Sequence, residues 1–259
     1  MEQPRYNIKF PVTEPHRLRQ DEAFCYLVEN GHETQLRFHE YDEIYKRPGL
    51  YEQLFYHRLK CNSPKVVADI LAGTLRDNRV EMTELRVLDL GAGNGMLGEQ
   101  LHTVGVARVI GVDISEEAHL ACERDRPGVY DAYYVYDFCN LEDTMRQELG
   151  MWHVDCLTCV AALGFGDIPV KAFANAFSLL ARSGWIAFNI KDSFLLESDS
   201  SGFSRLIKSL LVTDILEVHH MARYRHRISI DGRPLYYYAL VGKKQFDIPD
   251  HILADFDRE

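Results

Sequence analysis

The sequence predicts an α/β fold, in which a mostly parallel sheet carries helices on both faces. From Glu84 onwards, short apolar runs alternate with helical segments. The connections between these segments are short, which is typical of repeated strand–helix units. Near the end of the chain, Asp231-Gly232 separates two longer alternating segments, and this dipeptide is a strong signal for a hairpin turn. The last part of the sheet is therefore expected to be antiparallel.

Each strand is predicted from a short run rich in β-branched or aromatic residues. Ser115, followed by two glutamates, favours a helix start, because its hydroxyl can cap the first turn and the carboxylates complement the helix dipole. Other helices are predicted after Gly95 as far as His102 and over residues 170–181. The predicted strands cover residues 86–90, 108–113, 129–137, 153–160 and 185–190, and the hairpin covers 214–230 and 233–242.

The first part of the chain follows a different pattern. Residues 1–20 contain three prolines and are expected to be irregular. From Asp21 to Asn78, aromatic pairs spaced four apart and the Ser63-Pro64 start signal predict two to four helices. We therefore divide the chain into an N-terminal helical cap or lid (1–80), a sheet domain (81–243) and an acidic, peripheral tail (244–259).

Composition narrows the class of protein. The chain has 39 Asp and Glu against 29 Lys and Arg, a formal net charge of −10. Capture of nucleic acid or anionic membrane requires a basic face, so this balance argues against both. No uncharged apolar stretch approaches the roughly 18 residues of a membrane helix, and no secretory signal is recognised. The 6 cysteines are scattered without a disulfide framework, so we expect a cytoplasmic protein.

The most basic stretch runs from His219 to Arg227, within the predicted hairpin. Charges that alternate along a strand are typical of the solvated face at the edge of a sheet. We favour that interpretation. The alternative is contact with an anionic substrate or RNA.

A glycine-rich turn, Asp89-Leu-Gly91-Ala-Gly93-Asn-Gly95, joins the first predicted strand to a helix. Glycines let the backbone turn sharply and let a ligand approach the main chain. Two interpretations compete. Gly93-x-Gly95-x-x-Gly98 satisfies the dinucleotide pattern, in which a pyrophosphate sits at the helix N-terminus. Asp89 instead favours a ligand with an ammonium and a sulfonium, S-adenosylmethionine (SAM), because a carboxylate repels a pyrophosphate.

Acidic residues mark the ends of three successive predicted strands. Asp89 and Asp113 belong to the first two, and Asp137, followed by Phe138, ends the third. Ligands of open α/β sheets bind at these carboxyl ends, so we expect the three carboxylates to surround one ligand. Asp113 can accept both hydroxyls of a ribose, in SAM or in a nicotinamide dinucleotide. Asp137 can accept from an adenine amino group while Phe138 packs on the ring.

The segments VLDLGAGNGMLGEQL, VIGVDIS and YDF, with the terminal hairpin, resemble the class I SAM-dependent methyltransferases over residues 41–243. Two further stretches, LKCNSPKVVADIL and DCLTCVAALGFGDIPVKAF, are similar to the group around the Williams–Beuren syndrome region methyltransferase. The sequence departs from that group at Cys61, where its members usually carry tyrosine.

The resemblance implies a sheet of seven strands whose last strand is antiparallel, with SAM as cofactor and S-adenosylhomocysteine (SAH) as product. Asp89 would bind the methionine ammonium, and Cys159 and Val160 would lie beneath the sulfonium. Tyr51 and Tyr45 would close over the cofactor from the N-terminal segment. The predicted cofactor-binding residues are Tyr51, Asp89, Gly91, Ala92, Gly93, Asn94, Gly95, Asp113, Ile114, Asp137, Phe138, Cys159 and Val160.

The predicted function is methyl transfer from SAM to a small-molecule acceptor by in-line displacement. Two alternatives are an NAD(P)-dependent oxidoreductase and a SAM-binding scaffold or sensor without catalysis. No metal-ligand spacing is recognised. A general base is required if the acceptor is a hydroxyl or an ammonium. The candidate bases are Asp167, Asp192, His39 and His153. Contacts to the acceptor are expected from Tyr45, Gly164, Phe165 and Lys191.

Overall fold

The structure, a computed structural model, describes residues 5–12, 18–29, 31–163, 167–196 and 202–254. Within these ranges the strands are β1 (Asn7–Lys9), β2 (Phe24–Glu29), β3 (His32–Arg37), β4 (Arg86–Leu90), β5 (Arg108–Asp113), β6 (Ala132–Val135), β7 (Cys156–Cys159), β8 (Trp185–Lys191), β9 (Leu216–Ile228) and β10 (Pro234–Lys244). The α-helices are α1 (Tyr41–Tyr45), α2 (Ser63–Asp77), α3 (Met96–Thr103), α4 (Glu116–Asp125), α5 (Asp143–Gly150), α6 (Val170–Leu179), α7 (Gly202–Val212) and α8 (Asp250–Leu253). A π-helical segment, Glu52–Arg58, lies between α1 and α2.

Seven strands form the main sheet in the order β6-β5-β4-β7-β8-β10-β9. Strands β6, β5, β4, β7 and β8 pair in parallel, whereas β10 runs antiparallel to both β8 and β9. This arrangement confirms the predicted seven-stranded fold with an antiparallel last strand. It also brings the carboxyl ends of β4, β5 and β7 to one edge, where ligands of such sheets bind.

Both faces of the sheet are covered by helices. On one face, Leu88 of β4 and Leu157 of β7 belong to the same buried cluster as Phe173 of α6. On the other face, Val87 of β4 packs in a cluster with Leu71 of α2. Successive strand residues point to opposite faces, so burial of both faces requires the continuous apolar runs from which these strands were predicted.

The N-terminal region contains a second sheet, and the helical prediction for residues 24–37 is wrong. Strands β1, β2 and β3 form an antiparallel sheet, which also corrects the irregular prediction for residues 1–20 at β1. In β2, Cys25 and Leu27 are buried while their neighbours are partly exposed, a period of two that fits a strand. The sequence Asn30-Gly31, with φ of +81° at Gly31, carries the hairpin signal between β2 and β3.

The remaining differences concern element ends. Strands β4 and β5 have the predicted bounds, but β6 and β7 are shorter than predicted at both ends. Strand β10 extends into the predicted tail as far as Lys244, whose buried ammonium donates to the carbonyl oxygens of Phe177 and Leu180. The division of the chain at residues 80 and 243 stays a prediction. Across the described ranges, no helix is long and apolar enough to span a bilayer.

Candidate cofactor and acceptor site

A cavity of about 690 Å³ opens at the carboxyl ends of β4, β5 and β7. Leu90, Val112 and Val160 bring these three strand ends into its wall, and α1 contributes Tyr41 and Tyr45 from the N-terminal segment. Its volume and mixed apolar and polar lining are typical of sites for small molecules. The cavity therefore lies where the topology of the sheet predicts a ligand.

Asp113 is fixed at the end of β5 by two backbone hydrogen bonds. The amide of Gly93 donates to Oδ2 at 2.9 Å, and the amide of Ser115 donates to Oδ1 at 3.0 Å. Burial raises the pKa of Asp113, although these two hydrogen bonds act to lower it. Asp113, Ile114 and Ser115 all line the cavity. A carboxylate held in this way can still accept from ligand hydroxyls through its remaining lone pairs.

The glycine turn is packed too tightly for side chains. A Cβ on Gly93, where φ is +54°, would lie 2.6 Å from the hydroxyl of Tyr45. A Cβ on Gly95, where φ is +84°, would lie 2.8 Å from Val129. Of the predicted turn residues, Gly91 lines the cavity, whereas Gly93 is covered by Tyr45.

Asp89 lies beneath the cavity and is not among its lining residues. It is 1% exposed, and its carboxylate accepts from the hydroxyls of Tyr130 at 2.7 Å and Thr158 at 2.9 Å. Burial raises the pKa of Asp89 to about 6, although these hydrogen bonds oppose the shift. The contacts tie β4 to β7 and to the segment before β6. Binding of the methionine ammonium by Asp89 stays a prediction.

Glu52 is a second buried carboxylate at the glycine turn, and sequence reasoning missed it. Its Oε1 accepts from Nδ2 of Asn94 and from Nη1 of Arg126, both at 2.8 Å. Its Oε2 is buried and accepts no hydrogen bond from the described residues. A buried acceptor without a donor is costly, so this oxygen would be stabilised by a cationic ligand group. Asn94 and Ala92, both predicted ligand residues, are buried in this turn.

Asp137 and Phe138 lie together at the far wall of the cavity. The Asp137 carboxylate accepts from the amide of Cys139 at 2.8 Å and from Nδ2 of Asn140 at 2.6 Å. Phe138 is buried but still contributes to the lining. An acceptor oxygen beside an aromatic ring at the end of the third strand is the arrangement predicted for binding adenine.

Three tyrosines of the N-terminal segment line the opposite wall. The ring centroids of Tyr41 and Tyr45 are 6.2 Å apart, and those of Tyr45 and Tyr51 are 5.0 Å apart. Burial raises the pKa of each hydroxyl, so all three tyrosines stay neutral. Tyr45 and Tyr51 were predicted here, and Tyr41 joins them because it lies one helical turn before Tyr45.

His39 and Asp167 form a hydrogen-bonded pair in the lining of the same cavity. Nδ1 of His39 lies 2.8 Å from Oδ1 of Asp167, and their side chains are 23% and 20% exposed. The other two candidate bases lie elsewhere. Asp192 pairs with Arg223 at 2.8 Å, and His153 is exposed in the turn after α5. Neither is among the residues that line the cavity.

The remaining predicted residues are placed as follows. Val160 lines the cavity, while Cys159 is fully buried behind it. Lys191 ends β8, half-buried and outside the cavity lining. Gly164 and Phe165 lie outside the described residues. The described part of the chain holds no group of three or more His, Cys, Asp or Glu that could bind a metal ion.

The main sheet also matches a known protein family when the sequence is compared with known proteins. Residues 88–188 match the family described as "Methyltransferase domain". The chain is 30% identical over 115 residues to a ubiquinone biosynthesis O-methyltransferase of Thiobacillus denitrificans, covering 44% of this chain and 47% of that protein. It is 30% identical over 118 residues to the protein of the same name from Paraburkholderia phymatum, again covering 44% and 47%. The chain thus spans about half the length of the curated relatives that it matches.

Among solved structures, the chain is similar to one from Pyrococcus horikoshii described as a "putative RNA methyltransferase". The TM-score is 0.51 with 16% sequence identity, covering 72% of this chain and 88% of that chain. At this level of identity the likeness shows the fold alone.

Proposed function

We propose that this chain, which belongs to the class I SAM-dependent methyltransferases, transfers the methyl group of SAM to a hydroxyl group of a small molecule. The observation that carries the proposal is the His39–Asp167 pair, which lies in the same cavity as Asp113 and Asp137. The proposed proton acceptor and the proposed nucleotide-binding residues therefore line the same cavity. The names of the curated relatives, which are O-methyltransferases, support a hydroxyl as the acceptor group.

The residues at the sheet edge fit SAM. Asp113 would hold the ribose hydroxyls, and Asp137 with Phe138 would hold the adenine. Glu52 pairs with Arg126 through Oε1 and is not among the residues that line the cavity, but its second oxygen, which accepts from no described residue, would bind the methionine ammonium at the glycine turn. When bound, SAM supplies a methyl group that its sulfonium has already activated. Carboxylates around this turn would repel a pyrophosphate, which disfavours the oxidoreductase alternative.

His39 would accept the proton of the acceptor hydroxyl. Oδ1 of Asp167 lies 2.8 Å from Nδ1 of His39, which would hold the proton on that nitrogen and make Nε2 the basic nitrogen of the ring. The carboxylate also stabilises the imidazolium that forms, as in other histidine–carboxylate pairs. A general base in this position contributes about 10²–10⁴-fold to the rate.

The aromatic wall would exclude water from the reacting groups. Tyr41, Tyr45 and Tyr51 are neutral and tightly packed, so they give the cavity a rigid apolar side. Holding the acceptor against the methyl donor in one orientation supplies several kcal/mol of the barrier reduction. These tyrosines therefore act as positioning residues.

Two measurements test the proposal. Calorimetric titration with SAH should show binding to the wild-type protein. Incubation with SAM and a panel of hydroxylated small molecules should give methylated products detected by mass, and the yield should fall in His39→Asn. Absence of SAH binding would refute the cofactor assignment. Binding without turnover on the whole panel would favour the scaffold or sensor.

A further inference from the structure

Arg227 carries a positive charge in the interior of the protein. It is 5% exposed and lies near the end of β9, within the basic stretch that was predicted to be a solvated edge. Arg223 and Arg225 of that stretch are exposed, as predicted. His226 and Arg227 are buried, so the prediction is wrong for these two residues. Here the strand turns from the solvent toward the N-terminal segment, because the amide of Ile228 donates to the carbonyl of Leu59 at 2.7 Å.

The guanidinium of Arg227 has few partners. Its Nη1 donates to the carbonyl of Ile228 at 3.0 Å, and its Cζ lies 5.7 Å from the ring centroid of Phe38. Among the described residues, no carboxylate forms an ion pair with it. A guanidinium has five N–H donors and stays charged in proteins, so most of the hydrogen-bond donors of Arg227 have no acceptor among the described residues. A buried charge without a counter-ion is costly to the folded state.

The groups nearest to Arg227 do not supply the missing negative charge. Its electrostatic neighbours are Tyr41, Tyr51, Cys61 and Tyr237. Burial raises the pKa of Tyr237 to about 12 and also raises the pKa of the Cys61 thiol. These side chains are therefore neutral at physiological pH, and none of them compensates the charge of Arg227.

The position of Arg227 links it to the acceptor side of the cavity. Phe38, on which its guanidinium packs, directly precedes His39. Tyr41 and Tyr51, two of its electrostatic neighbours, line the cavity. Arg227 is not itself among the residues that line the cavity. Its charge lies behind the wall that Tyr41 and Tyr51 form, on the side proposed for the acceptor, while Asp113 and Asp137 would lie on the cofactor side.

We propose that the methyl acceptor carries a carboxylate and that Arg227 is the counter-ion that binds it. The inference rests on the proposed function, since it concerns the acceptor of the same site. A guanidinium binds a carboxylate through two parallel hydrogen bonds, which would use N–H donors of Arg227 that now have no acceptor. A single buried cation matches a monoanion, whereas a phosphate dianion would keep an uncompensated charge.

The test compares carboxylic acids with their primary amides. The probes are hydroxylated benzoic and short aliphatic acids, each paired with its amide, added to protein with and without saturating SAH. Thermal unfolding should shift upward with at least one acid and not with its amide. Arg227→Met should lose this shift. Arg225→Met is the matched control, because it removes an exposed arginine of the same strand, and it should keep the shift.

Stability and affinity give independent readouts. Arg227→Met should unfold at a temperature equal to or above that of the wild type when no acid is present, because an uncompensated buried charge is removed. If that variant does not fold, Arg227→Lys should bind the acid at least about tenfold more weakly, since lysine cannot make the paired hydrogen bonds. Equal shifts with acids and amides, or an acid shift that persists in both variants, would overturn the inference.

SAH titration separates this inference from the proposed function. Wild type and Arg227→Met should bind SAH equally, because Arg227 lies away from Asp113 and Asp137, the residues proposed to hold the cofactor. If the wild type binds no SAH, the proposed function fails, while the acid and amide comparison without SAH still decides the role of Arg227.

Discussion

Nδ1 of His39 lies 2.8 Å from Oδ1 of Asp167, although 128 residues separate them along the chain. His39 enters the cavity from the segment before α1, and Asp167 enters from the segment before α6. The cavity thus acquires a histidine–carboxylate pair only when the N-terminal region packs on the sheet. In the proposed mechanism, the N-terminal region therefore supplies the general base.

Replacing either member of the pair should slow methyl transfer without weakening cofactor binding. We expect His39→Asn and Asp167→Asn to lower kcat by about 10²-fold or more, since general-base catalysis is lost. His153→Asn and Asp192→Asn are matched controls, because these candidate bases lie outside the cavity lining. Steady-state kinetics and SAH calorimetry check the prediction. A fall in kcat of the same size in a control variant would contradict it.

Asp113→Asn should weaken SAH binding at least about tenfold. The substitution removes the negative charge that accepts from the ligand while keeping the size of the side chain. Asp131→Asn is the control, because Asp131 accepts from the amide of Val109 at the opposite end of β5. We expect that variant to lose stability but to retain its affinity for SAH. Calorimetry on both variants decides, and equal affinities for SAH would argue against the role of Asp113.

Glu52→Gln should affect only ligands that carry the amino acid part of the cofactor. The variant keeps an oxygen that can accept from Asn94 and removes the negative charge at the unpartnered position. We expect weaker binding of SAH and unchanged binding of methylthioadenosine, which lacks the ammonium. Competitive titration with the two ligands measures the difference. Parallel losses for both ligands would show that the substitution disturbs the whole turn.

Asp89 should make stability depend on pH. Its pKa is raised to about 6, so the folded protein holds this proton more tightly than the unfolded chain does. The contribution of Asp89 to stability therefore falls as pH rises from about 4 to about 6 and is constant above. Relative to Asp89→Asn, the wild type should lose about 2 kcal/mol between pH 4.5 and pH 7.5. Urea unfolding of both proteins at the two pH values checks this prediction. If the difference in their free energies of unfolding is the same at both pH values, the prediction is contradicted.

Sequence patterns predicted the sheet well because its strands carry local signals. The bounds of β4 and β5 follow from continuous apolar runs that end at the glycine turn and at Asp113. The hairpin follows from Asp231-Gly232. In contrast, β3 has one buried residue, Leu36, so its sequence carries almost no periodic signal. Strand β2 was missed because its alternation is only six residues long and lies beside helical aromatic pairs.

The site could be predicted only where the fold places ligands by topology. The strand ends of β4 and β5 and the Asp137-Phe138 position were predicted because open parallel sheets bind ligands at the carboxyl ends of their strands, and the cavity lies there. His39 and Asp167 appeared among the candidates, but no local pattern pairs residues from distant segments. Glu52 and Arg227 stand out because they are buried with part of their hydrogen-bonding capacity unused, which a charged residue in a sequence does not reveal.

Helix α1 touches both ends of the cavity. Its Asp42 accepts from the hydroxyl of Ser115 at 2.5 Å, its Tyr45 covers Gly93, and His39 lies two residues before its start. A ligand that displaced this short helix from the glycine turn would also displace His39, the proposed base. If cofactor and acceptor bind as proposed, we expect one coupling free energy to link their affinities. By thermodynamic reciprocity, each ligand changes the affinity for the other by the same factor.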